Sequence, residues 1–184
     1  SRRREAIVGR LTELTKSARL YIAGQELTDI RSQDIKNRLA DGMKCLVEQV
    51  YTNLKMLTID YDDSMLRSIL TSTTSGTLFG SLEADVCSTE IFNEISKQKR
   101  MAVRTKVKDL VDVFRGGTYG WYETAILCII AKLYKMDKIS FRSNGNIVAE
   151  RDIYTALTNL TQQQNTIVDI EETITASQIT KLKK

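Results

Sequence analysis

From Trp121 to Tyr134 the sequence WYETAILCIIAKLY is apolar almost all round a helical wheel, and such a helix persists in water only when other elements cover every face. Its longest unbroken apolar run, Ala125 to Ala131, is far short of the ~20 residues that a membrane span needs. The segment therefore asks for a protein core built around it. A chain of 184 residues with 42% hydrophobic and 27% charged residues has the material for one core or two small ones.

The covering layers are legible as amphipathic helices. Ile7, Leu11, Leu14 and Ala18 fall at helical spacing, with Arg3, Arg10 and Lys16 on the other face. Leu20-Tyr21-Ile22 and Glu26-Leu27 flank a glycine turn and read as a short β-hairpin. Ser32 can cap a long helix in which Ile35, Leu39, Met43, Leu46, Val50 and Leu54 repeat over about six turns. A shorter helix follows Asp62 or Asp63, and Thr71-Ser72-Thr73-Thr74-Ser75-Gly76 reads as a linker. Beyond it, one helix starts at Ser88 or Thr89, and another carries Val103, Val107, Leu110, Val111 and Phe114 up to Gly116-Gly117.

After the apolar helix, Asn144-Gly145 between Ile139-Ser140-Phe141 and Ile147-Val148 is a strong hairpin signal. A helix with Ile153, Leu157 and Leu160 follows, then Thr166 to Ile170, a β-branched run suited to a third strand. The reading is a mainly α (α+β) fold in two parts: residues 1–75, helical with a short β-hairpin, and residues 76–184, winged-helix-like with a β-hairpin near 139–148.

Composition removes most enzyme chemistry. There is no histidine, hence no imidazole base, no Ser/His or Cys/His pair and no common zinc ligand. Cys45, Cys87 and Cys128 are too scattered for a zinc site or a disulfide framework and read as reduced thiols of a cytoplasmic protein. Asp60-Tyr61-Asp62-Asp63 lacks the glycine and glutamate of a calcium loop, which leaves helix capping as its role. Gly116-Gly117-Thr118-Tyr119-Gly120-Trp121 superficially resembles a phosphate-cradling loop, but it lacks a Lys-Ser/Thr pair and follows a helix, so tight packing around Trp121 is the favoured reading. The first residues lack an initiator methionine and a signal-peptide core, and the last stop within a helical pattern, as expected of a piece of a larger intracellular protein.

One electrostatic feature stands out. Lys97, Lys99, Arg100, Arg104, Lys106 and Lys108 lie in a run without acids. If one helix continues through it, Lys97, Arg100, Arg104 and Lys108 share a face and become a candidate nucleic-acid contact. The competing readings are a solvated helix face, or a row split by a helix restarting at Thr105.

The sequence from Leu110-Val111-Asp112-Val113-Phe114 through Tyr119-Gly120-Trp121 and Ala131-Lys132-Leu133-Tyr134-Lys135-Met136-Asp137-Lys138-Ile139-Ser140-Phe141 to Tyr154-Thr155-Ala156-Leu157-Thr158-Asn159 resembles the large P-loop ATPase of BREX bacteriophage-defence systems, the BrxC or PglY type. In that family the aromatic motif reads Pro-Tyr-Gly-Trp; here Thr118 stands in the proline's place. The resemblance implies an antiviral, cytoplasmic parent that hydrolyses ATP with magnesium, assembles as an oligomer and works with other BREX proteins. No Walker A or Walker B motif occurs in this sequence, so the resemblance places the segment outside the nucleotide-binding core, with no cofactor of its own. Tyr119, Gly120, Trp121 and Asn159 become family-motif residues with structural roles. The function that follows is a non-catalytic accessory or scaffold region that meets the rest of its parent, BREX partners or DNA. The alternative is an interaction or oligomerisation module of an unrelated cytoplasmic multidomain protein.

Overall fold

The computed structural model describes residues 2–28, 30, 32–72 and 85–171. Its contacts divide the chain into two compact units, Ser1–Thr52 and Asn53–Lys184. The sequence reading set the division at 75/76; residues 53–72 instead pack with the second unit, because Leu66 and Ile69 are buried in the core built around the apolar helix. The expected linker lies largely outside the described residues, and Thr71 and Ser72 belong to the end of a helix and its cap.

In the first unit, α1 (Arg2–Ser17) leads to a two-stranded hairpin, β1 (Tyr21–Ile22) and β2 (Gln25–Glu26), paired Tyr21 to Glu26 and Ile22 to Gln25. Ala23 (φ 50°) and Gly24 (φ 82°) both take the left-handed conformation at its turn. Helix α2 (Ile35–Val50) follows. Asp34, not Ser32, caps it: the Asp34 carboxylate accepts the Asn37 N–H at 3.0 Å. Helix α2 stops at Val50, short of Leu54, which begins a separate 3₁₀ turn, Leu54–Met56. One face of α2 meets the hairpin, and a Cβ at Gly42 would sit 3.6 Å from Leu20 and 3.9 Å from Leu27 and Ile30. No residue of α1 or α2 is buried.

The second unit holds α3 (Asp63–Thr71), α4 (Val86–Arg100), α5 (Val107–Arg115), α6 (Glu123–Lys135), β3 (Ile139–Ser143), β4 (Asn146–Ile147), α7 (Glu150–Thr158), α8 (Leu160–Gln163) and β5 (Thr166–Ile170). The sheet order is β4-β3-β5, all antiparallel, with Ile139 opposite Ile170 and Ser143 opposite Thr166. Lys106 adds a single bridge to Ile167 on the far side of β5. The hairpin expected around Asn144-Gly145 is present, with φ of 50° and 84° at those residues. Helix α4 starts earlier than expected, because Asp85 accepts the Cys87 and Ser88 N–H groups. Helix α5 starts later, at Val107, which leaves Val103 outside it.

Helix α6 is the centre of this unit, as its composition demands. Ala125 to Ala131 and Leu133 are all buried, and every other residue of the helix is half-buried. Helices α3, α4 and α5 and strand β3 all pack on it. Its one core-facing cation, Lys132, donates to the Tyr61 hydroxyl at 2.8 Å and to Asp85 at 3.4 Å. Burial pulls the Lys132 pKa down, but the Tyr61 and Asp85 oxygens outweigh it and the net shift is upward, holding the ammonium form. No described helix is long and apolar enough to cross a membrane.

Candidate functional site

The six cations of the basic row do not share one helical face. Helix α4 ends at Arg100; the Met101 N–H caps it on the Lys97 and Gln98 carbonyls at 3.1 Å, and Ala102 turns the chain with φ 56°. Thr105 is buried and its carbonyl accepts the Val168 N–H at 2.8 Å, so Thr105 and Lys106 run alongside β5 and do not restart a helix. The row is thus distributed over the end of α4 (Lys97, Lys99, Arg100), a connection (Arg104, Lys106) and the first turn of α5 (Lys108). The polypeptide leaves α4 at one level and re-enters a helix only after touching the sheet, which breaks the helical spacing.

Acidic side chains also stand among these cations. Lys97 pairs with Glu94 at 3.1 Å, and half-buried Lys108 pairs with Asp112. The Asp109 carboxylate accepts the Lys106 N–H at 2.9 Å. Gln98 and Lys97 both donate to Glu94 and hold its carboxyl below the usual range. Among the described residues Arg100, Arg104 and the Lys106 ammonium form no ion pair, and all three are exposed. A shallow cleft beside them is lined by Lys99, Ala102, Arg104 and Asp169.

The Tyr-Gly-Trp motif is a clasp. Trp121 is buried, stacked on Phe114 (centroids 5.1 Å apart, 16° between planes), with Tyr119 edge-on at 5.1 Å. Its indole N–H donates to the Asn53 carbonyl at 3.2 Å, while the Asn53 N–H and side-chain amide donate to the Thr118 carbonyl and hydroxyl at 2.9 and 3.1 Å. The Tyr119 hydroxyl donates to Glu90 at 2.6 Å, and burial together with that carboxylate pushes its pKa up to about 12. The motif therefore ties residue 53 and α4 to the α5–α6 connection. Thr118 supplies a hydroxyl to this grip that a proline would not.

The same geometry removes the phosphate-loop alternative. The N–H groups of Tyr119 and Gly120 are spent on the Gly116 carbonyl and that of Trp121 on Phe114, so these amides do not cradle an anion. Asp60, Asp62 and Asp63 likewise disperse. Asp62 caps α3 by accepting the Met65 N–H at 2.7 Å, Asp60 accepts the Tyr122 hydroxyl at 3.0 Å, and Asp63 takes Arg67 at 2.9 Å and the Tyr154 hydroxyl at 2.8 Å. Asn159 caps α8, accepting the Gln162 N–H at 3.1 Å. Among the described residues no group of three or more His, Cys, Asp or Glu could hold a metal ion.

Two networks escaped the sequence reading: the Lys132–Tyr61–Asp85 cluster, and a clip in which Arg67 lies 4.0 Å over the Tyr154 ring, joining α3 to α7. The first had a visible signal, because a lone lysine after seven apolar residues of a covered helix needs a partner. The second had none, since its members are 87 residues apart.

Residues 52–172 match the family model described as the winged helix-turn-helix domain of the BREX ATP-binding protein BrxC. The chain belongs to that family. No solved structure matches it. The family match begins at residue 52, beside the start of the second unit at Asn53. In DNA-reading winged helix domains a recognition helix enters the major groove. Helix α6, at the centre of this unit, has no exposed residue.

Proposed function

We propose that this BrxC winged helix domain is a non-catalytic, protein-facing scaffold of its parent and does not read DNA through α6. The observation that carries this reading is the enclosure of α6. A recognition helix needs a row of polar side chains free to reach base edges. Helix α6 offers isoleucine, leucine and alanine to its neighbours, and its two lysines are spent on Tyr61 with Asp85 and on Glu150. Removing the α3 cover would uncover an apolar surface and not a reading face.

ATP and magnesium belong to another part of the parent under this proposal, which rests on the lack of a Walker A or Walker B motif in the sequence. BREX partners in the cytoplasm and the rest of the parent chain are the natural counterparts of such a scaffold. A second reading, phosphate contact without base recognition, rests on exposed Arg100, Arg104 and Lys106.

Fluorescence anisotropy with labelled duplex and single-stranded DNA across a salt series tests both. The expected outcome is weak retention, indifferent to sequence, with a logarithmic salt slope no steeper than about −3 for three cations. Arg100→Glu/Arg104→Glu should abolish it. Binding that prefers one duplex sequence and survives high salt would overturn the scaffold reading.

A further inference from the structure

Helix α1 carries an apolar seam that nothing within its unit covers. Ile7, Leu11 and Leu14 are 57%, 55% and 67% exposed, and their spacing of four and three residues is that of d, a and d positions in a coiled-coil heptad. In that frame Arg4 is an a position and Arg3 and Arg10 are g positions, while Glu5, Glu13 and Lys16 fall on the outer face. Glu13 is taken by Lys16 at 2.9 Å. Among the described residues Arg3, Arg4 and Arg10 form no ion pair. The helix thus presents a narrow apolar stripe whose only flanking charges on the contact side are guanidinium groups.

We infer that α1 is a docking helix for a partner helix of matching apolar stripe and acidic flanks. Charge decides between the occupants. A second copy of α1 would place Arg4 against Arg4 across the seam in parallel pairing, and Arg3 and Arg10 against each other in antiparallel pairing; like charges there act against association. A lipid surface calls for a broad apolar face, commonly with aromatic anchors, whereas this stripe spans only the a and d positions with Val8 beside it, and α1 has no aromatic residue. An acidic amphipathic helix satisfies both features, its carboxylates meeting Arg3, Arg4 and Arg10. This surface belongs to the first unit and is independent of how the winged helix domain is used.

The test uses the whole chain and two labelled designed peptides of three heptads, with leucine and isoleucine at a and d and either glutamate or lysine at e and g. The acidic peptide should bind at least about tenfold more tightly than the basic one, and high salt should erase the difference. Leu11→Asp/Leu14→Asp should remove binding while the circular dichroism of the second unit's core persists. Arg3→Glu/Arg10→Glu should reverse the preference toward the lysine peptide. Equal binding of both peptides, binding of neither, a doubled mass of the chain alone, or stronger retention on phosphatidylserine vesicles than on the acidic peptide would each overturn the assignment.

Discussion

Helix α1 repeats Ile7, Leu11 and Leu14 at helical spacing, and α5 repeats Val107, Leu110, Val111 and Phe114 in the same way. The first set is more than half exposed; no member of the second exceeds 1% exposure. Helix α2 sides with α1: its Leu39, Met43, Leu46 and Val50 are exposed although its other face meets the hairpin. A stripe fixes that a helix forms and which way it turns, but what covers it depends on the other segments available. In the second unit α6 supplies a helix apolar on all sides, so each neighbour finds a surface to bury against. Among the described residues the first unit contains no such element, and its stripes stay exposed.

The three cysteines make this contrast directly measurable, and the effect should be the largest. Cys45 is half-buried and lines an open cleft of the first unit with Leu27 and Ile30. Cys87 and Cys128 are buried, and burial pushes both thiols up to about 11. Because the thiolate is the reacting species, native labelling with a neutral alkylating reagent should modify Cys45 first, with Cys87 and Cys128 slower by orders of magnitude and governed by opening of the core. Peptide mass spectrometry resolves the three. Simultaneous labelling would break the comparison by showing that the second unit is no more closed than the first.

Much of this contrast was readable in the sequence, and the part that was not has a physical cause. The covered state of α6, the Asn144-Gly145 hairpin and the capping of α3 by Asp62 follow from local chemistry: periodicity, a turn dipeptide, a capping carboxylate. The division at 52/53 and the splitting of the basic row depend on partners far away in sequence, the core contacts of Leu66 and the pairing of Thr105 with Val168. The row looked continuous because spacing alone cannot reveal that residues 101–106 leave the helix to reach β5. The packing of Trp121 follows from the apolar helix it adjoins, but its grip on Asn53 joins residues 68 apart and carries no sequence signature.

Trp121→Ala should be the most damaging single change among those considered. It removes the ring that stacks on Phe114 and meets the edge of Tyr119, and strands the Asn53 carbonyl, at a cost of roughly 3–5 kcal/mol for a large-to-small core substitution. Trp121→Phe keeps most of the apolar volume and should cost less than half of that. Urea denaturation followed by circular dichroism is the measurement, since Trp121 is the sole tryptophan. A cost below about 1 kcal/mol for the alanine variant would mean that the clasp is peripheral to the core.

The smallest effect should come from an equally hydrophobic residue on the other side of the comparison. Leu39→Ala in α2 deletes a side chain that is 54% exposed, and alanine has the better intrinsic helix propensity. Little apolar area leaves water in the folded state at this site, so little is lost when the side chain goes. The expected change is within about 0.5 kcal/mol, as for surface substitutions generally. Leu110→Ala in α5, from a residue 1% exposed, should instead cost about 2–5 kcal/mol. If Leu39→Ala in the isolated chain costs as much as a core leucine, the α2 stripe is already occupied, and a concentration-dependent loss would identify another copy of the chain as its cover.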